Sequence, residues 1–160
     1  MSDFFSKTDL SRKDAEGIIS ETLNNCDDGE LYLENSKSES IVLDDDKIKS
    51  STYSSDLGYG LRAVTGEVVA YSHSNEISKH SLKQSADNLR STLKSQNGVY
   101  NHEILKTNEK FYKDINPIEE KSLQSKLELL KEVNSYTRAK GDIVKQVTAS
   151  FAGEHKSIEI

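Results

Sequence analysis

Four histidines, one cysteine and a few carboxylate clusters are the residues whose types could do chemistry here. His73 and His80 are seven apart across a predicted strand-to-helix junction. Two histidines one helical turn apart converge on a metal, whereas this spacing does not. His102-Glu103 starts a His-Glu pair, but no histidine follows at positions 105–108. Asp44-Asp45-Asp46 lacks the alternating oxygens, central glycine and distal glutamate of a calcium loop, so it reads as a charged hairpin turn. Cys26 stands beside Asp27 and Asp28, and those carboxylates oppose a reactive thiolate. Ser91 and Lys94 match a Ser-x-x-Lys pattern without a partner Ser-Asp-Asn motif, and with Leu93 inward they fall near opposite edges of a helix's exposed side.

Two further features carry a choice. Gly58-Tyr59-Gly60 lacks the third glycine and the following helix of a phosphate loop. It reads as a bulge or bend where bare backbone admits a close neighbour. Arg62 sits mid-strand between Leu61 and Ala63, so with Leu61 inward it points to the opposite face. There it pairs with a carboxylate such as Glu39 or Glu67, or else meets a ligand or a partner chain.

The elements that must position these residues follow from periodicity. A first helix is expected from about Leu10 to Cys26, capped at Ser11 with a thin stripe of Ile18, Ile19 and Leu23. Strand-like runs follow at 31–33, 41–43, 48–55, 60–64 and 68–72, with Ile48 and Tyr53 anchoring the polar third run. Thr65-Gly66-Glu67 is a tight turn between the last two. The short connections imply antiparallel hairpins, a meander of about four strands. A second helix is capped at Ser78, stapled by Ile77 and Leu82, and striped by Leu82, Ala86, Leu89 and Leu93. Residues 96–121 read as an irregular loop, pinned to the core by Phe111, Tyr112 and Ile115. A third helix spans about Leu123 to Lys140, from Ser122 to Gly141, with Leu123, Leu127, Leu130 and Val133 on one face. A last strand from Ile143 to Phe151 turns at Ala152-Gly153-Glu154 and starts back, so the chain is expected to end inside an unfinished hairpin. The fold class is α+β: the meander plus a later strand, packed on two or three helices, in one domain over residues 1–160.

Composition narrows the function classes. Hydrophobic residues make up only 34%, with no tryptophan, so a small core is expected. A net charge of −6 with mixed signs argues against nucleic acid and against an anionic membrane surface. A single cysteine permits no intrachain disulfide and fits a reducing compartment. No run approaches the ~20 apolar residues of a membrane-spanning helix, and the first ten residues lack a signal-peptide pattern. The cytoplasm is the expected location.

Several segments together resemble a known family. Asp28 to Glu34, Glu39-Ser40, Gly58 to Glu67 and Glu76-Ile77-Ser78 are similar to the N-terminal domain of the TldD/PmbA metallopeptidases, on the TldD branch. The likeness resumes at Pro117-Ile118, Lys126-Leu127 and 146–150. These proteins were once called modulators of DNA gyrase. The resemblance implies a cytoplasmic, zinc-dependent peptidase that pairs as a TldD–TldE heterodimer and degrades unfolded or leader peptides by main-chain pairing. It places the zinc on a His-Glu-x-x-x-His helix in a C-terminal half, a pattern absent from this sequence. No catalytic or metal residue carries over, and the chain alone is expected not to hydrolyse peptides. Gly58, Gly60, Arg62, Gly66 and Glu67 are the signature positions expected to contact substrate or partner, with zinc belonging to the complete enzyme. The expected partners are a TldE/PmbA-like subunit, a separately encoded C-terminal half, and peptide. Two other readings stay open: a stand-alone peptide-binding module using the edge at 49–55 or the C-terminal strand, and an inactive gene remnant.

Overall fold

The computed structural model describes residues 4–6, 8–94, 111–113 and 115–160. In chain order the elements are α1 (Arg12–Leu23), β1 (Asp28–Asp44), β2 (Lys47–Thr65), β3 (Val68–Ser74), α2 (Lys79–Leu93), α3 (Pro117–Glu120), α4 (Leu123–Arg138) and β4 (Thr148–Glu159). The strands form one antiparallel sheet in the order β3-β2-β1-β4. The α+β class holds, with fewer and longer strands than the sequence suggests. The runs at 31–33 and 41–43 belong to one strand, and so do those at 48–55 and 60–64.

Two turns set this hairpin arrangement. Asp45 and Asp46 form a two-residue loop, with φ of 46° and 64°. Positive φ at both positions is the geometry whose twist matches a hairpin, and aspartate tolerates it. Gly66, with φ of +59°, opens the second loop, and Thr65 pairs with Val68 across it. From there β2 and β3 pair in antiparallel register to Tyr59 and Ser74.

The chain divides into two compact units. The first comprises Met1–Asn35, Asp56–Lys113 and Ser157–Ile160. Its core joins Leu31 and Leu33 of β1, Leu61 and Ala63 of β2 and Ala70 of β3 to the faces of α1 and α2. α2 forms where the sequence places it, because all its signals are local. The Ser78 hydroxyl accepts from the Ser81 N–H, and Leu82, Ala86, Leu89 and Leu93 are buried. Each such leucine contributes on the order of 1.5–3 kcal/mol. A partly buried hydroxyl chain adds direction: the Tyr59 hydroxyl lies 2.9 Å from both Ser81 and Ser85 Oγ, and Ser72 reaches Ser85 at 3.0 Å. Asp14, in the first turn of α1, bonds Lys79 at 2.8 Å, the first residue of α2.

The second unit comprises Ser36–Ser55 and Asp114–Lys156. Its apolar cluster is small: Ile41, Leu43, Leu130 and Ala149, with Leu127 and Phe151 against it. An ion pair completes it. Lys126 Nζ donates to Glu39 Oε1 at 2.5 Å and to the Ile118 carbonyl at 2.6 Å, with only 5% and 10% of the two charged side chains exposed. The buried row of α4 is therefore Lys126, Leu130 and Asn134. This corrects the expected apolar face: Leu123 and Val133 are exposed. Asp44 accepts from Gln146 and Thr148 at 2.9 Å, and Asp45 from Arg138 and the Val147 N–H. Their oxygens are engaged in holding the hairpin turn.

Other expectations are corrected here. No turn interrupts residues 152–154, because β4 continues through them to Glu159. A side chain at Gly153 would meet Ile118 and Glu39 at ordinary distances of 3.5–3.8 Å, so this glycine marks no bend. Ile143 lies before the strand and is exposed. Phe111, Tyr112 and Ile115 are exposed instead of pinning a loop, as are Ile48 and Tyr53. Pro117 begins a helical turn capped by Asn116. Most of the expected loop, including Asn97-Gly98, lies outside the described residues.

Two outcomes test this account. Lys126→Met and Glu39→Met should each lower unfolding free energy by about 3–5 kcal/mol, because each strands a buried charge. The double variant should regain most of that loss in urea melts, and additive losses would show that the residues do not act as a pair. Hydrogen bonds from Lys79 and then Ser11 hold the Asp14 carboxyl at about 2, below its usual 3.8. A depressed folded-state value stabilises above about 3.8, and that contribution is lost as pH falls through about 2. The melting-temperature gap between wild type and Asp14→Asn should therefore close from pH 5 down to pH 2, and a gap independent of pH would refute the coupling.

Candidate functional site

The five signature positions lie on or beside the β2–β3 hairpin. Gly58, Gly60 and Arg62 alternate with buried Tyr59, Leu61 and Ala63, which places them on the sheet face away from the core. Their register partners on β3 bring Tyr71 opposite Arg62 and His73 opposite Gly60. The rings of Tyr71 and His73 stack at 5.8 Å and 24°. Tyr71 and Val69 remain about two-thirds exposed, at 64% and 60%.

The two strand glycines make room for different things. A Cβ at Gly58 would sit 2.7 Å from the Ser74 carbonyl oxygen and 3.3 Å from the Asn75 Cα, both backbone atoms. The chain leaves β3 there for α2, and only bare backbone on β2 lets it pass. A Cβ at Gly60 would instead meet the Tyr71 hydroxyl at 2.6 Å, a side chain lying across the glycine. The expected close neighbour is thus part of this chain. No helix begins here, so no phosphate cradle forms.

Arg62 has partners other than those its sequence suggested. Its Nε donates to Glu30 at 2.9 Å and its Nη2 to Asp28 at 2.8 Å. Those bonds, Glu30 first, raise the guanidinium pKa further. The expected pairing with Glu39 or Glu67 does not occur: Glu39 holds Lys126, and Glu67 is an exposed residue of the Gly66 turn. The Gly66 N–H donates to Asp27 Oδ2 at 2.6 Å, while the Asp27 N–H donates to the Val64 carbonyl at 2.7 Å. Asp27 thereby clasps the hairpin end.

This surface offers an aromatic ledge beside a guanidinium already balanced by two carboxylates. It contains no nucleophile with an adjacent base. Among the described residues no three His, Cys, Asp or Glu groups come together to hold a metal, so none forms a donor set that fits zinc. His102 and Glu103 lie outside the described residues. His80 is exposed, and Cys26 is buried with its thiol toward the Thr22 carbonyl. Asp27, Asp28, Glu30 and Tyr71 are contributors that the sequence reading missed. The two-residue spacing of Asp28 and Glu30 was the available signal, because it puts both on one strand face.

Residues 29–94 match the family pattern described as PmbA/TldA metallopeptidase domain 1. The chain is 35% identical over 133 residues to a metalloprotease TldD homolog of Buchnera aphidicola from Acyrthosiphon pisum, covering 82% of this chain and 28% of that protein. It is 32% identical over 144 residues to the TldD homolog of Haemophilus influenzae, covering 85% and 29%. The chain thus spans a little over a quarter of the length of these relatives. Its fold is similar to that of a Thermotoga maritima protein described as a modulator of a DNA gyrase, with a TM-score of 0.61, 14% identity, and 92% and 34% of the two chains covered. It is also similar to TldE of Thermococcus kodakarensis, with a TM-score of 0.57, 12% identity, and the same coverage.

The two glycines should respond differently to a methyl group. Gly58→Ala should cost about 1–3 kcal/mol, as overpacking against immovable backbone does. Gly60→Ala should cost less, because exposed Tyr71 can swing aside. Thermal denaturation of both variants checks the order, and equal losses would refute it.

Proposed function

The chain belongs to the PmbA/TldD metallopeptidase family, and from that premise we propose that it supplies the N-terminal, substrate- and partner-contacting domain of a TldD-like zinc metallopeptidase. In this reading its 160 residues contribute sheet and surface, and the zinc, with the water it activates, is held by other polypeptide. The Gly58–Glu67 hairpin face meets substrate or a TldE/PmbA-like subunit, in the cytoplasm. The observation that carries the reading is the match of residues 29–94, which includes Arg62 and its partner Glu30. Unfolded or leader peptides are the proposed substrate class. A second reading, a peptide-binding module acting alone, is favoured by one observation: β4 stands at the end of the strand order.

A chimera tests the first reading. This chain replaces the matched segment of the Haemophilus influenzae TldD homolog, and the product is assayed for zinc content and for peptide cleavage. Chelator-sensitive cleavage by the chimera, with none by the isolated chain, is the expected result. A folded, zinc-loaded chimera that cleaves nothing would sink the proposal, as would chelator-sensitive cleavage by the isolated chain.

A further inference from the structure

The outer face of the β2–β3 hairpin contains one contact that lies apart from the core. Gly60 is buried, and the ring of Tyr71 covers it. The place a Cβ would take at Gly60 lies 2.6 Å from the Tyr71 hydroxyl and 3.0 and 3.1 Å from its Cε2 and Cζ. Tyr71 itself is 64% exposed. It stands on the sheet face opposite Ala70, which packs toward the helices, so its ring adds nothing to that packing.

Three neighbours shape the place this ring occupies. Its floor is the bare backbone of Gly60. His73 is the register partner of Gly60, and its ring stacks with Tyr71 at 5.8 Å and 24°. Arg62 stands opposite Tyr71, with its guanidinium fixed by Glu30 and Asp28. A flat floor, a stacking ring and a fixed guanidinium are surroundings that suit a planar π system. The tyrosine already seated there shows which shape fits. It reaches the floor diagonally from the next strand, and most of its surface faces solvent. Exposed side chains change rotamer within nanoseconds, so a turn about χ1 uncovers the floor with little loss of packing.

We propose that the Gly60 floor is a recognition site for an aromatic side chain, tyrosine or phenylalanine, of a bound polypeptide, and that Tyr71 occupies it in the free chain as an internal competitor. The incoming ring takes the place of the Tyr71 ring, lies on Gly60 and stacks on His73. The proposal deepens the reading of the Gly58–Glu67 face as a contact surface and rests on it. It adds a preference among side chains and a contact that restrains binding. A competitor within the chain lowers apparent affinity by the fraction of molecules in which it has swung away. Removing the Tyr71 ring therefore tightens binding, whereas a purely structural tyrosine would give no such gain.

The test uses the full chain, labelled with nitrogen-15, and two blocked amino acids, N-acetyl-tyrosinamide and N-acetyl-leucinamide, followed by NMR. Tyr71→Ala, Tyr71→Thr and Gly60→Ala are measured alongside, with circular dichroism confirming that they fold. Threonine keeps strand propensity, so it decides the matter if the alanine variant does not fold. The expected result is saturable movement of the Gly60 and His73 amide signals by the tyrosine probe, with binding of the leucine probe about threefold weaker or more. Binding of the tyrosine probe should tighten about threefold or more in the Tyr71 variants and weaken in Gly60→Ala. One readout needs no variant: the proton contact between Gly60 and the Tyr71 ring should disappear on saturation with the tyrosine probe. Absence of saturable binding, an equal response to leucine, folded Tyr71 variants that bind no tighter, or a Gly60–Tyr71 contact that survives saturation each overturns the proposal. An active chimera, with a chain that does not distinguish the two probes, fails the aromatic site alone. Aromatic binding with an inactive chimera fails the family role alone.

Discussion

A carboxylate stands where the second unit needs an apolar side chain. Glu39 lies two residues before Ile41 and four before Leu43, on the strand face that forms the cluster. It must leave water, and Lys126 meets it there with a second bond to the Ile118 carbonyl. The ring of Phe151 lies 5.6 Å from the same ammonium. Among the described residues this cluster holds four buried apolar side chains, few for fixing one packing by shape alone. With Lys126 turned inward beside Leu130 and Asn134, Leu129 and Val133 of the same helix are left half-exposed.

The same economy recurs in the first unit. With a third of its residues hydrophobic, the chain fills inner positions with hydroxyls and ties its surface with charge. Tyr59, Ser72, Ser81 and Ser85 join the sheet to α2 through shared hydroxyl contacts. Arg62 joins β2 to β1 through two carboxylates, and Asp27 secures the hairpin end from outside it. Buried polar groups demand particular partners at particular angles, where apolar groups accept many. Directional contacts of this kind favour one register over its neighbours.

What could be read from the sequence follows from the range of each signal. α2 was legible because its cap, its staple and its stripe all lie between Ile77 and Leu93. The ends of β1 were legible in Leu31, Leu33, Ile41 and Leu43. The middle of β1 was not, because residues 34–40 contain no apolar side chain and Lys37 and Glu39 take partners more than eighty positions away. Lys126 hid the buried row of α4 for the same reason. The supposed turn at Ala152-Gly153-Glu154 rested on composition alone, and pairing within the sheet overrode it. The hairpin face was visible as a pattern of glycines and an arginine. The tyrosine that lies across Gly60 could be found only once the register of β3 was known.

That tyrosine and its glycine have a counterpart in Gly58, and the two positions differ in what blocks them. The obstacle at Gly60 is a side chain, so it can be removed by changing residue 71. The obstacle at Gly58 is the backbone of residues 74 and 75, which no side-chain replacement elsewhere can clear. A side chain at position 60 is therefore compatible with a smaller residue at position 71. Position 58 has no such compensating route, and it anchors the point where the sheet hands the chain to its second helix.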